Sequence, residues 1–364
     1  MLTVDQPGWI EKDRPECGGV DAIVRPLVLA PCSSDCHVLH GGAGPKENMI
    51  LGHECVGEVV EVGRRVTRVK PGDTVVVPCV TPNWMSPDVQ GRYNAHDAHA
   101  MGGFKFTSSK DGTMAEFFHV NHADANLVPL PDGVSMEAAL MTVDMMSTGF
   151  HGEDGAEIEF GDVVVVMGIG PVGLMAVAGA VLAGASRILA IGTRPNCVEV
   201  AKSYGATDIV SYKDGDTVEQ ILELTGGGAD AVIVAGGGED SFHQAIAMTK
   251  AGGRISNVNF YDVEDVLSVP ATLWGLGMAD KKIHGGFCPG GALRISKMLK
   301  MIQYGRVDTT KLISHRFYGF DAIEEAFHTR TPSLAISSSR SCTATMSYGD
   351  SRRIFDYSHV PGEI

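Results

Sequence analysis

The sequence predicts an α/β fold in which a β-rich domain is joined to a doubly wound parallel sheet. Three observations predict it. From Val20 to about His122, short apolar runs are broken by Gly and Pro, the pattern of a small β domain. From Gly161 onward, strand-like and helix-like runs alternate, which builds a parallel sheet with helices on both faces. With 364 residues and 44% hydrophobic composition, the chain can bury two cores.

In the first part, residues 22–29, 56–62, 73–78 and 115–120 read as strands, short apolar runs broken by Gly and Pro. In the second part, residues 163–167, 187–191, 231–234 and 253–258 read as strands. Residues 171–185, 196–204, 218–224 and 241–250 read as the helices between them. Helical periodicity returns over 293–304 and 323–328. The stretch 329–364 has a Ser-Ser-Ser-Arg-Ser-Cys run and few periodic apolar positions, and it reads as loop.

The strand over 163–167 runs into Gly168-Ile169-Gly170-Pro171-Val172-Gly173, and a helix follows. Three glycines at this spacing are expected about 0.7 times by chance in so glycine-rich a chain, so the order strand, turn, helix carries the inference. Gly226-x-Gly228-x-x-Ala231 has the same loose spacing but lies between a helix and a strand, the reverse order, and is set aside. At 168–173, Gly168 allows the tight turn, Gly170 lets the backbone approach a pyrophosphate, and Gly173 lets the helix pack closely. The motif therefore predicts a dinucleotide site. The next strand ends Gly192-Thr193-Arg194, where an NAD site would place a carboxylate. A small residue followed by a forked cation suits a 2′-phosphate, so NADP(H) is favoured over NAD.

The formal charge of −15 argues against nucleic acid or an anionic membrane surface as a partner. The longest clean apolar run, 174–185, is too short to span a bilayer, and the first residues lack the pattern of a signal peptide. The expectation is a soluble cytoplasmic protein. Eight cysteines, at 17, 32, 36, 55, 79, 197, 288 and 342, form no Cys-x-x-Cys pair, which excludes the usual closed structural zinc and disfavours a disulfide framework.

Cys32 in Pro31-Cys32-Ser33-Ser34-Asp35, His53 in Leu51-Gly52-His53-Glu54 and Asp144 in Val143-Asp144-Met145 are each unremarkable alone. Together with the glycine loop they match a family. So do Gly8-Trp9-Ile10-Glu11-Lys12, Gly57-Glu58-Val59-Val60-Glu61-Val62-Gly63, Thr148-Gly149-Phe150-His151-Gly152 and Gly285-Gly286-Phe287-Cys288-Pro289-Gly290-Gly291. Over roughly residues 8–328 the chain resembles the zinc-dependent medium-chain alcohol dehydrogenases, and most closely their NADP-dependent secondary-alcohol branch.

The resemblance implies a GroES-like catalytic domain over 1–147 and 289–364 and a Rossmann cofactor domain over 148–288. It implies one catalytic Zn2+ per subunit on Cys32, His53 and Asp144, with Glu54 as an adjacent carboxylate. Three protein ligands with an open position suit a catalytic zinc, and one thiolate plus one carboxylate balance its charge. Ser34 is expected to hydrogen-bond the substrate oxygen and His37 to carry a proton outward. Gly192, Thr193, Arg194 and Tyr212 are expected around the 2′-phosphate. Phe104 stands where this branch commonly has Trp and Phe260 where a Tyr from a neighbouring subunit is common; with Phe287 they are expected at the substrate pocket. The implied reaction interconverts small secondary alcohols and ketones in a homotetramer. A polyol- or threonine-type dehydrogenase and an inactive NADPH-binding protein are the alternatives. The stretch after Phe327 departs from the family pattern, as either a reading-frame shift near residue 329 or true divergence would produce.

Overall fold

The first strand, Ala22-Ile-Val-Arg-Pro-Leu-Val-Leu29, buries all but its Arg25 and half-buried Leu27, as a strand covered on both faces must. The structure, a computed structural model, describes residues 1–42, 44, 46–261, 266–320, 322–330 and 352–356. The chain divides into two compact units, one of Met1–Asp144 with the chain from Pro289 onward, the other Met145–Cys288. In chain order the first unit contributes β1 (Ala22–Leu29), β2 (Cys55–Val62), β3 (Thr74–Val77), β4 (Phe118–Val120) and β5 (Val128–Pro129). The second contributes β6 (Val163–Met167), β7 (Arg187–Ile191), β8 (Asp208–Val210), β9 (Ala229–Val234), β10 (Thr249–Asn257) and β11 (Lys282–Gly285). The returning chain adds β12 (Ile313–Tyr318) and β13 (Arg352–Asp356) to the first unit.

Among the described residues, the first unit's sheet runs β12-β13-β1-β2-β3-β5, with β4 also paired to β1. The β1–β2 pairing is antiparallel, with two register shifts that bend the pair. Its inward side chains, including Val24, Val59, Val77, Phe106 and Phe118, form one core.

The second unit's sheet runs β11-β10-β9-β6-β7-β8, and every neighbouring pair is parallel. The strand order reverses beside β6, the switch point at which doubly wound sheets bind ligands. The helix Pro171–Ala183 that follows β6 is buried on nearly every side, and Gly184 in the left-handed region ends it. It packs on the helix Ser147–Ala156 through Gly149, whose Cβ, if present, would lie 2.6 Å from the Val172 carbonyl oxygen. Val165, Leu189, Val232, Ile246 and Ile255 centre the core of this unit.

Three expectations are corrected. The helix read over 241–250 stops at Met248, because β-branched Thr249 takes an extended backbone and opens β10. The sequence reading recognised no strand in Lys282–Gly285, which the adjacent Lys281 and Lys282 disguise, yet it pairs along β10 as β11. Within the stretch 329–364, read as loop, Arg352–Asp356 forms β13, parallel to β12 and antiparallel to β1. Backbone pairing with two flanking strands decides this element, and its own sequence carries little strand signal. The rest of that stretch beyond Arg330 lies outside the described residues.

Candidate metal centre and dinucleotide loop

Strand β1 delivers the chain through Pro31 to Cys32, the residue that caps the short helix Ser33–Leu39. Asp35, in the first turn of that helix, is fully buried, and one oxygen accepts a hydrogen bond from the Cys32 backbone N–H at 2.8 Å. Its other oxygen accepts from the Gly52 N–H at 3.0 Å and faces His53 Nδ1 at 3.0 Å. Gly52 has φ +99°, and a Cβ there would press on Thr113 and Met114 at 2.7 Å, so only glycine can deliver His53 at this angle.

With Nδ1 turned to Asp35, the opposite ring nitrogen, His53 Nε2, faces Asp144 Oδ2 at 3.4 Å and Glu54 Oε1 at 3.7 Å. Cys32 Sγ lies 3.6 Å from the same Asp144 oxygen. One donor atom from each of Cys32, His53, Glu54 and Asp144 falls within 4.8 Å of the other three, and all four residues are buried. Asp144 reaches the cluster from a π-helical turn over Thr142–Met146, an irregularity found often at functional sites.

This donor set fits a zinc ion. Thiolate, imidazole and carboxylate are the ligand types zinc prefers, and a carboxylate behind the histidine is the usual device for fixing its tautomer and orientation. The electrostatics agree. Burial opposes a positive charge on His53, but the charge of Asp35 and the hydrogen bonds to Asp144, Asp35 and Cys32 outweigh it and raise its pKa well above the usual imidazole range. Asp35 is held below the usual carboxylate range: burial acts against this, and the charge of His53 and the donors around it prevail. A pocket that draws positive charge so strongly also favours a divalent cation.

Ser34 places its hydroxyl 3.6 Å from Cys32 Sγ, and His37 follows one turn later on the same helix, half-buried. The ring of Phe104 meets the His53 imidazole edge to face, centroids 5.0 Å apart. In the second unit, Phe260 is exposed beyond the end of β10 and Phe287 is half-buried beside Cys288.

The glycine loop takes the form its spacing requires. Gly168 has φ +84°, and a Cβ there would lie 2.8 Å from Gly236 Cα. Gly173 passes so close to the Gly168 carbonyl that any Cβ would overlap it. A Cβ on Gly170, by contrast, would meet nothing nearer than Arg194 Nη2 at 3.8 Å, which also shows the guanidinium standing beside the loop. Gly170 caps the helix that begins at Pro171. Ile169 is buried and Val172 half-buried. Gly192 follows β7, and Thr193 Oγ1 donates to the exposed Tyr212 hydroxyl at 2.7 Å, drawing Thr193, Arg194 and Tyr212 to one rim.

The Alcohol dehydrogenase GroES-like domain family matches residues 18–132, and the Zinc-binding dehydrogenase family matches residues 171–303. The chain is 56% identical over 329 residues to an NADP-dependent isopropanol dehydrogenase of Thermoanaerobacter brockii, covering 90% of this chain and 94% of that one. The chain belongs to the zinc-binding alcohol dehydrogenases. A second member of the family, the NADP-dependent isopropanol dehydrogenase of Clostridium beijerinckii, is 54% identical over 328 residues, 90% of this chain and 93% of its own. Among solved alcohol dehydrogenases, TADH from Thermus sp. ATN1 superposes with a TM-score of 0.82 at 28% identity, over 98% of both chains.

Sequence reasoning passed over two parts of the centre. In the sequence Asp35 is only the last residue of the run that contains Cys32, although an acid three residues after a helix-capping residue is a signal that it turns back toward the helix start. Gly52 was read as a family mark, and its positive φ became legible only with the backbone.

Proposed function

We propose that this chain interconverts small secondary alcohols and ketones by zinc-assisted hydride transfer with NADP(H). The observation that carries the reading is the buried convergence of Cys32, His53 and Asp144, with Asp35 fixing the histidine. It is supported by the relatives named NADP-dependent isopropanol dehydrogenase.

Cys32, His53 and Asp144 would hold the zinc, with Glu54 as the neighbouring carboxylate. Zinc bound there supplies a Lewis acid that lowers the pKa of a substrate hydroxyl toward neutrality. Ser34 accepts the hydroxyl proton's hydrogen bond, and His37, one turn further along the helix, takes that proton outward. The alcohol loses a hydride from carbon and a proton from oxygen. NADP+ held at the glycine loop and the Gly192–Arg194 rim would supply the hydride acceptor, so that oxidation of the alcohol would give ketone, NADPH and one proton. Phe104, lying against His53, limits the room for the alkyl groups. The backbone N–H groups of Gly170, Val172 and Gly173 bind the pyrophosphate, with Ile169 and Pro171 holding the loop's shape. Gly192 leaves room for the 2′-phosphate, Arg194 clamps it, and Thr193 and Tyr212 flank it.

The domains we assign are a catalytic one over 1–147 and 289–364 and a cofactor one over 148–288. We further propose a homotetramer in the cytoplasm. Exposed large apolar side chains of the second unit, including Val266, Leu276 and Met278, support self-association. Among the described residues, no helix is long and apolar enough to cross a membrane. Light scattering should give four times the 38.5 kDa chain mass, and a mass of one chain would refute the assembly.

The test of function is the Cys32→Ser variant with 2-propanol as substrate. It should lose bound zinc and nearly all NADP+ reduction while binding NADPH as the parent does. A variant with the parental rate would sink the ligand assignment.

A further inference from the structure

We propose that Asp111, held by Lys12, is a positioning residue for the metal centre: it fixes the run of chain that carries His53 and so sets where the imidazole meets Cys32 and Asp144. Asp111 has this role on the reading that Cys32, His53 and Asp144 bind zinc. It acts through the backbone of Ile50, three residues before the histidine.

Ile50 is gripped at both of its backbone polar groups. Its N–H donates to Asp111 Oδ1 at 2.9 Å, and its carbonyl accepts from the Gly112 N–H at 2.8 Å. The next two carbonyls are taken by the same loop, Leu51 by the Met114 N–H at 2.9 Å and Gly52 by the Thr113 N–H at 2.8 Å. The Gly52 N–H goes the other way, to Asp35. Residues 50–52 therefore lie between two carboxylates, Asp35 on the helix Ser33–Leu39 and Asp111 on the loop, and His53 leaves them with its direction set from both sides. The approach is too close for a side chain. A Cβ on Gly112 would overlap the Gly52 carbonyl oxygen, although Gly112 has no positive φ to call for glycine.

Three of the four contacts from this loop are backbone pairs. The fourth, from Asp111, is the one that a substitution can remove. Lys12 Nζ donates to both carboxylate oxygens, at 2.7 and 2.8 Å, and so keeps Oδ1 turned to Ile50. With the side chains 26% and 37% exposed, the ion pair itself adds little stability. Its use is orientation, and a charged acceptor also makes a hydrogen bond about twice as strong as a neutral one. Lys12 is steadied in turn by its own segment. Trp9 donates through Nε1 to Glu324 at 3.2 Å and packs on Phe320 with ring centroids 5.1 Å apart. The run Gly8-Trp9-Ile10-Glu11-Lys12 thus brings a cation to the loop that anchors the histidine.

The test is the zinc affinity of the full chain by competition with a chromophoric chelator, with the visible absorption of the Co2+-loaded protein as a second readout, since its bands follow ligand geometry. Asp111→Ala should weaken zinc binding about tenfold and alter the Co2+ bands, the lower end of what losing a residue that orients a metal ligand does. Asp111→Asn keeps an oxygen for the Ile50 N–H and should bring affinity back to within about threefold of the parent. Lys12→Met, made outside the loop, should weaken binding about threefold, a factor within the range of an exposed ion pair. Parental affinity and parental Co2+ bands in Asp111→Ala, or in Lys12→Met should that first variant not fold, would overturn the proposal. So would an Asp111→Asn chain as weak as Asp111→Ala. A parent chain that binds no zinc would overturn the zinc reading and this proposal with it.

Discussion

Asp35 Oδ1 and His53 Nδ1 stand 3.0 Å apart, sealed from solvent at the base of the metal centre. The pair fixes which ring nitrogen faces Cys32 and Asp144. Asp35→Asn should therefore weaken zinc affinity by about 10- to 100-fold, the usual effect of removing such an orienting carboxylate. Competition with a chromophoric chelator measures it, and parental affinity would show that the cluster holds His53 without Asp35.

Gly170 and Gly173 separate cofactor binding from folding. Alanine at 173 would overlap the Gly168 carbonyl and should destabilise the chain by about 1–3 kcal/mol. Alanine at 170 meets nothing closer than 3.8 Å within the protein, so the unfolding temperature should hold while NADPH affinity falls at least tenfold. Denaturation and fluorescence titration of both variants distinguish the two roles; equal NADPH binding by Gly170→Ala would remove the pyrophosphate from this loop.

Cofactor choice rests on Gly192 and Arg194. Arg194→Gly should lower NADPH affinity by about 1.5–3 kcal/mol, the worth of a charged hydrogen bond, with little change for NADH. Introducing aspartate at 192 to favour NAD meets an obstacle, since its Cβ would collide with the Ile169 side chain. Gly192→Asp with Ile169→Ala and Arg194→Gly should shift the NADP/NAD ratio of kcat/KM toward NAD further than Gly192→Asp with Arg194→Gly. An unchanged ratio would rule out this rim as the 2′-phosphate site.

Much of this was legible in the sequence because it rests on local pattern. The glycine loop, its flanking strand and the helix after it are adjacent in the chain, and short-range sterics dictate them. The three donors at 32, 53 and 144 are far apart, and only the family resemblance brought them together. What stayed hidden depends on long-range pairing: β13 exists because β1 and β12 leave a place between them, and β11 because β10 offers an edge. Asp35 was hidden for a related reason, since its meaning comes from a histidine 18 residues away.

Acid stability should depend on Asp124. Burial raises the pKa of its carboxyl, but hydrogen bonds from the Arg68 and Thr67 backbone and the Thr67 hydroxyl outweigh that and hold it below the usual carboxylate value. With the folded pKa below the unfolded one, the unfolded chain binds more protons as pH falls. The stabilisation is thus complete above about pH 4 to 5 and is lost as pH drops through the folded pKa. Asp124→Asn should flatten the fall in unfolding free energy below pH 4, and an unchanged slope would exclude this contribution.

The most direct measurement is the initial rate of NADP+ reduction by 2-propanol before chelation, after chelation, and after zinc is restored. The account predicts turnover that disappears with the metal and returns with zinc, at parental NADPH binding throughout. Folded, zinc-replete protein that binds NADPH yet gives no turnover would contradict it.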